Sequence, residues 1–121
     1  MKENIVQQKS YQFAISIVQL YKYLTQIKKE YVLSKQVLRS GTAIGANIEE
    51  AIGGQSRKDF ISKLSIAYKE ARETVYWLRL LHDTNYLNQK EFDSLLDSSN
   101  ELIRIIGKIQ TTTKNNQKIN S

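Results

Sequence analysis

Proline is absent from this chain of 121 residues, and glycine occurs only five times. Because these two residues are the strongest breakers of regular structure, their scarcity is typical of a few long helices and does not suit a fold built from many tight turns. The helical periodicity is interrupted at residues 28–33, 53–54 and 85–88. These three interruptions predict four helices.

Residues suited to starting a helix follow each interruption. Ser34 is predicted to cap the second helix, and the Ser-Arg-Lys-Asp run at 56–59 is predicted to cap the third. Asn88 and Glu91 have the spacing of a capping box for the fourth helix. The sequence itself therefore marks the boundaries of four separate helices.

Within each predicted helix, apolar residues recur every three or four positions and so fall on one face. The third helix shows the pattern with Phe60, Leu64, Ala67, Ala71, Thr74, Leu78 and Leu81. Such faces need partners, and short connections favour antiparallel neighbours. We therefore expect an all-α protein in which residues 1–110 form one antiparallel, up-down-up-down four-helix bundle domain. Residues 111–121 continue no apolar stripe and are expected to form a flexible basic tail.

Residue types that carry catalysis are scarce. The chain has no cysteine and one histidine, His82, which excludes a thiolate metal site and leaves a di-iron bundle site without its Glu-x-x-His pairs. The glycine pair at 53–54 lacks the Lys-Ser or Lys-Thr of a phosphate-binding loop and is interpreted as a helix end. Glu49 and Glu50 point about 100° apart on a helix and do not converge as an acid and base pair. We expect a non-enzymatic protein with no metal and no cofactor.

Signals for membrane insertion or export are not recognisable. No segment reaches the roughly 18 apolar residues that span a bilayer, and the first ten residues lack the apolar stretch of a signal peptide. The absence of cysteine also suits a reducing compartment. We expect a cytoplasmic protein with no membrane partner.

The third helix carries a second stripe opposite its core face, and the second helix carries a polar stripe beside its apolar face. A helix with two such faces usually has two partners, so we expect a homo-oligomer. The predicted interface comprises Arg39, Asn47, Glu50, Ile66, Glu70, Glu73, Trp77 and Leu80. Trp77 is expected to anchor the contact, with Arg39 and Asn47 meeting Glu73 across it. The alternative is that Ile66, Trp77 and Leu80 are separate surface residues.

The formal net charge is +6, which favours polyanionic partners or simply solubility. In the predicted topology, the start of helix 1, the turn between helices 2 and 3 and the end of helix 4 share one end of the bundle. The cations collected there, predicted to bind nucleic acid, are Lys2, Lys9, Arg57, Lys58, Lys63, Arg104, Lys108, Lys114 and Lys118. The opposite reading is a solvated basic surface without a partner.

A pattern of specific residues in helices 2 and 3 carries a family resemblance. It consists of Gln-Val-Leu-Arg at 36–39, Ala43-Ile44, Asn47-Ile48, Glu50, Ser-Arg-Lys-Asp-Phe at 56–60, and Ile66-Ala67 through Glu73. The pattern, within roughly residues 10–110, resembles the four-helix bundle family of 23S rRNA intervening sequence proteins. It is also similar to the accessory variability proteins of diversity-generating retroelements.

The resemblance implies bundles that assemble into rings, typically pentamers, and, for the retroelement members, basic nucleic-acid-binding partners of a reverse transcriptase. The chain departs from the family pattern at several positions. It has Ala51 where glycine is usual, Ala43 where serine is frequent and Lys69 where a serine is found, and it lacks the proline that commonly precedes helix 2. These departures leave the expected fold unchanged.

Two functions are compatible with these observations. The first is a non-enzymatic, oligomeric nucleic-acid-binding accessory protein, associated with RNA in particular. The second is a protein-interaction scaffold, a ring that docks a partner such as a reverse transcriptase. The sequence contains neither a paired aromatic platform on a sheet nor a Gly-x-x-Gly clamp, so any binding of nucleic acid is expected to be non-sequence-specific.

Overall fold

The described part of the chain folds into four helices, separated at the three predicted interruptions. The structure, a computed structural model, describes residues 4–120, with side chains described for residues 4–116. The helices are α1 (Ile5–Gln26), α2 (Leu33–Ile52), α3 (Arg57–Asp83) and α4 (Gln89–Asn120). No helix in this range is long and apolar enough to cross a membrane.

Side-chain contacts show that consecutive helices run in opposite directions. Lys63, near the start of α3, meets Glu50 near the end of α2, whereas Glu70, farther along α3, meets Arg39 near the start of α2. The same reversal relates α1 to α2, α3 to α4 and α4 to α1. The predicted up-down-up-down bundle is confirmed.

The core consists of the predicted apolar stripes. Its fully buried large side chains include Ile17, Leu24, Ile44, Ile48, Leu64, Leu78, Leu81, Leu102 and Ile106. Thr74 and Ser40 are also fully buried, and their hydroxyl oxygens are 2.9 Å apart in a hydrogen bond that joins α3 to α2. Among the described side chains, no buried polar atom lacks a partner. Burial of the stripes, rather than intrinsic helix propensity, therefore supplies most of the stability.

The four helix pairs do not pack equally. α2 and α3 pack most extensively, and α1 and α4 pack least. A groove of about 540 Å³ therefore remains between α1 and α4, lined in part by Leu20, Tyr23 and Leu95. The bundle is a closed ring of helices with one loose seam.

Helix α2 is capped differently from the prediction. Ser34 lies inside the first turn of α2 and is buried, so it is not the cap. Instead the carboxylate of Glu30 accepts hydrogen bonds from the backbone N–H groups of Val32, Leu33 and Ser34 at 3.1, 3.0 and 2.7 Å. The other two starts are confirmed, since Ser56 accepts from the N–H of residue 59 and Asn88 from that of residue 91.

The residues predicted to form a flexible basic tail, 111–121, are helical where the structure describes them, because α4 continues to Asn120. No glycine or proline follows Gly107, so nothing in this stretch breaks the backbone hydrogen bonding of the helix. The hydroxyls of Thr111 and Thr113 also bond back to the carbonyl oxygens of Gly107 and Ile109, at 3.0 and 2.7 Å. The last described turns extend the helix with mostly exposed side chains.

Candidate nucleic-acid interface

The predicted basic end of the bundle keeps only some of its cations free. Lys9 Nζ lies 3.0 Å from a carboxylate oxygen of Glu101, and Lys63 Nζ lies 3.2 Å from one of Glu50. These two lysines therefore face acidic partners in their own chain. Lys2 and the side chain of Lys118 lie outside the described residues.

The remaining predicted cations are exposed. Arg57 and Lys58 occupy the first turn of α3, and Arg104, Lys108 and Lys114 lie along the second half of α4. None of these five has an ion pair within the described residues. A polyanion could approach them without first displacing a carboxylate.

A second basic surface, between α3 and α4, was missed by the sequence reasoning. Lys69, Arg72 and Arg79 are exposed on α3, and Tyr76 lies among them with 56% of its surface exposed. The two arginines and the tyrosine line one side of a cleft of about 340 Å³. The signal was present as the spacing 69, 72, 76, 79, which places all four residues on one helix face. This surface runs along the length of α3, so it does not stand out when cations are assigned to one or the other end of the bundle.

The predicted interface residues of α2 and α3 instead meet within one chain. The guanidinium of Arg39 donates to Glu70 at 2.8 Å and also to Glu73. The indole N–H of Trp77 donates to the same Glu73 oxygen at 2.9 Å. The expectation that Arg39 meets Glu73 between subunits is therefore corrected, because the two residues face each other across α2 and α3.

This network sets the charge state of its members. The hydrogen bond from Trp77 lowers the pKa of Glu73; partial burial opposes that effect, and the hydrogen bond and charge of Arg39 add to it. The hydrogen bond to Glu73 likewise raises the pKa of Arg39. Glu73 is thus held as a carboxylate between two donors.

The other two polar interface candidates are used locally. The side-chain amide of Asn47 donates to the carbonyl oxygen of Ala43 in its own helix at 2.8 Å. Glu50 pairs with Lys63 as described above, and not with Arg39 or Asn47. Neither residue reaches Glu73, since Asn47 bonds one turn back in α2 and Glu50 pairs with Lys63 of α3.

The apolar residues of the predicted interface are not equally exposed. Trp77 and Leu80 are half-buried, with Trp77 packed against the core, whereas Ile66 is 40% exposed. Helix α1 exposes a further apolar stripe of Tyr11, Ile15 and Val18. These residues are spaced by four and three and lie on the side of α1 away from its core face. The chain therefore offers two candidate surfaces for a second copy.

His82 connects the end of α3 to the start of α4. Its ring stacks on Phe92 with centroids 4.3 Å apart, and its two nitrogens lie 2.9 Å from oxygens of Asp83 and Gln89. The hydrogen bond to Asp83 raises the pKa of His82, with partial desolvation opposing and Gln89 and neighbouring charges adding. Within the described part of the chain, no three His, Asp or Glu side chains converge as metal ligands.

Comparison with known proteins agrees with this architecture. A family model described as 23S rRNA-intervening sequence protein matches residues 2–108. A solved structure is titled a protein with unknown function from the S23 ribosomal protein family of Bacteroides thetaiotaomicron VPI-5482. It is 52% identical with a TM-score of 0.89, and the alignment covers 92% of this chain and 99% of that one. A search of curated proteins gave no match.

Proposed function

Because this chain belongs to the 23S rRNA-intervening sequence protein family, we propose that it is a non-enzymatic, oligomeric protein that binds nucleic acid, RNA in particular. The observation that carries the proposal is a set of exposed cations at one end of the bundle that form no ion pair within the described residues. Arg57 and Lys58 project there from the start of α3, and Arg104 and Lys108 lie on α4. The net charge of +6 adds a long-range attraction for phosphate.

The binding mechanism is electrostatic. Each phosphate neutralised by lysine or arginine releases condensed counterions, so affinity falls as salt is added. In an oligomer the same cations repeat once per subunit, which multiplies the number of phosphates engaged. This mode does not read bases, and it requires no catalytic group, metal or cofactor.

The second candidate, a scaffold ring that docks a reverse transcriptase, is what the sequence resemblance to retroelement accessory proteins implies. The exposed, uncompensated cations favour nucleic acid as the direct partner, because a protein-docking surface is usually depleted of charge at its centre. The scaffold function therefore becomes the better proposal only if nucleic acid fails to bind.

Electrophoretic retardation of a structured RNA and of duplex DNA, measured over a series of salt concentrations, tests the proposal. For wild type, log K should fall by roughly 0.7–0.9 per phosphate contacted for each tenfold increase in salt. The Arg57→Glu, Lys58→Glu double variant should bind more weakly, with a slope shallower by about 1.5 for each subunit that contacts the nucleic acid. Light scattering establishes whether the variant keeps the oligomeric state of wild type.

A matched control reverses the same amount of charge at the other end of the bundle. Lys22 and Lys35 are both exposed, and their replacement by glutamate changes the net charge equally. This control should retain most of the affinity. Equal weakening in both double variants would contradict binding at the predicted end, and a wild-type protein that retards neither probe at low salt would overturn the proposed function.

A further inference from the structure

The cleft between α3 and α4 combines cations with an exposed aromatic ring. We propose that it is a binding site for single-stranded RNA, in which an unpaired base stacks on Tyr76 while Arg72 and Arg79 hold the phosphates on either side. The inference rests on the proposed nucleic-acid function and adds a second site, with its own preference, to the basic end of the bundle.

The three side chains have the register that such a site requires. Arg72 and Arg79 are seven residues apart, which is about two helical turns or roughly 10 Å along α3. Tyr76 follows the first arginine by four residues and precedes the second by three, so all three side chains project from one face. Lys69 extends the row of cations by one further turn. A nucleic-acid backbone lying along α3 would meet a phosphate ligand on each side of the ring.

No ion pair within the described residues neutralises the positive charge of the cleft. The nearest carboxylates of α3, Glu70 and Glu73, are both engaged by Arg39 on the α2 side of the helix. On α4, Glu101 is engaged by Lys9 on the α1 side. Within the described residues, Arg72 and Arg79 form no ion pair. The charge of the cleft therefore complements a polyanion.

The shape and lining of the cleft suit a base. Its lining includes Val75 on α3 and both Ile103 and Asn100 on α4. The two apolar side chains can accept the face or edge of a base, and the carboxamide of Asn100 offers both a donor and an acceptor to its polar edge. A volume of about 340 Å³ accommodates a group of this size.

The tyrosine ring is held in place before any ligand arrives. It packs edge-to-face against Trp77, with centroids 5.0 Å apart and an interplanar angle of 76°. Trp77 is in turn fixed by its hydrogen bond to Glu73. An aromatic ring that is exposed but oriented loses little freedom on binding, which favours stacking.

The ring of Tyr76 should make the cleft prefer single-stranded RNA over double-stranded RNA. Bases of an RNA duplex are stacked inside the helix and cannot lie on a protein side chain, whereas unpaired bases can. Stacking on an aromatic residue also tolerates any base, because every base has a π face. The cleft should therefore prefer unpaired RNA without selecting its sequence.

The test compares a labelled short oligoadenylate with a blunt RNA duplex carrying the same number of phosphates. Tyr76→Ala should weaken binding of the oligoadenylate about tenfold, within the range expected for loss of one stacked base, and leave duplex binding unchanged. Tyr76→Phe keeps the ring and should bind both probes as wild type does. Because the side chain is largely exposed, Tyr76→Ala should also keep the fold, which circular dichroism checks.

Trp77, the only tryptophan, supplies a second readout. Its emission should be quenched or shifted when oligoadenylate occupies the cleft, and should respond much less to the duplex. If Tyr76→Ala binds oligoadenylate as tightly as wild type while both probes still bind in a salt-dependent way, the single-strand site is disproved and the proposed function stands. If the wild-type protein binds neither probe, the single-strand site and the proposed function are both disproved.

Discussion

Gly41 in α2 lies directly against the side chain of Ile17 in α1. A Cβ atom at Gly41 would stand 2.7 Å from Cγ1 and 2.8 Å from Cγ2 of Ile17, far inside van der Waals contact. One turn later, Gly45 brings its backbone against that of Ser10, where a Cβ would lie 3.3 Å from the carbonyl oxygen. The absence of two side chains therefore sets the distance between α1 and α2.

Gly41→Ala should destabilise the bundle even though alanine is the better helix former. Ile17 is completely buried and cannot move aside, so overpacking of about 1–3 kcal/mol outweighs a propensity gain of about 1 kcal/mol. Gly107→Ala is the matched control, because its Cβ would meet only Tyr68 at 3.6 Å. Urea unfolding should show a loss for the first variant and a gain of about 0.5–1 kcal/mol for the second. A gain in both would contradict the close approach.

Glu30→Gln should lower stability at neutral pH by about 1 kcal/mol, the usual worth of a helix cap. Partial burial favours the protonated form of Glu30, but hydrogen bonds from the N–H groups of Leu33, Ser34 and Val32 outweigh it and lower the pKa. A lowered folded-state pKa gives stability that is present above the unfolded value and lost as pH falls through the folded value. The difference between the two proteins should therefore shrink in acid.

Chemical unfolding at pH 7 and at pH 3 measures this effect. Asp97→Asn removes one negative charge from an exposed residue of α4 and serves as the control, with little change expected at either pH. An equal loss of stability for Glu30→Gln at both pH values would show that the carboxylate charge does not hold the cap.

His82 should titrate above its ordinary pKa of about 6.5. The hydrogen bond with Asp83 favours the protonated ring, and the contact with Gln89 adds to it. The stabilising contribution is therefore fully present below the unfolded pKa and is lost as pH rises through the folded one. Because the chain has one histidine, proton NMR gives the value directly. Asp83→Asn should lower the measured pKa, and a wild-type value at or below 6.5 would contradict the arrangement.

Ile66→Glu should dissociate the expected oligomer if the second stripe of α3 forms the subunit interface. Ile66 is 40% exposed and remote from the core, so this charge interferes with assembly more than with folding. Trp77→Ala is a less specific test, since Trp77 packs against the core of its own chain. Light scattering should give several times 14.0 kDa for wild type and about 14.0 kDa for the variant.

Ile15→Glu on α1 provides the matched comparison, because Ile15 is 44% exposed and receives the same charge. Its assembly should equal that of wild type. The reverse result, in which only Ile15→Glu dissociates the protein, would place the interface on α1, and a monomeric wild type would end the oligomer prediction altogether.

Most of the fold could be predicted because helical periodicity and two of the three caps are local properties of the sequence. The cap of α2 could not, because it depends on the shape of the connection before it. Lys29 adopts a left-handed backbone with a φ of 56°, and this reversal returns Glu30 toward the first turn of α2. Ser34, which has the right residue type for a cap, is thereby drawn into the helix.

The surface was predicted less well than the core, because periodicity identifies a helix face but not its neighbour. Arg39 and Glu73 were correctly recognised as a polar pair, yet only the packing of α2 on α3 shows that they meet within one chain. The cleft around Tyr76 depends in the same way on which side of α3 receives α4. Residues on one helix could be grouped from the sequence, whereas sites shared by two helices required their arrangement in space.

The loose seam between α1 and α4 has a consequence for how the molecule opens. α1 and α4 pack least on each other, whereas α2 and α3 share the most extensive contact. Because α1 and α4 have less packing to lose, each can detach as a cooperative unit at a lower free energy than global unfolding. In native-state hydrogen exchange, amides of α1 and α4 should exchange through these partial openings. The slowest amides should belong to the hairpin of α2 and α3, held together by Thr74 and Ser40.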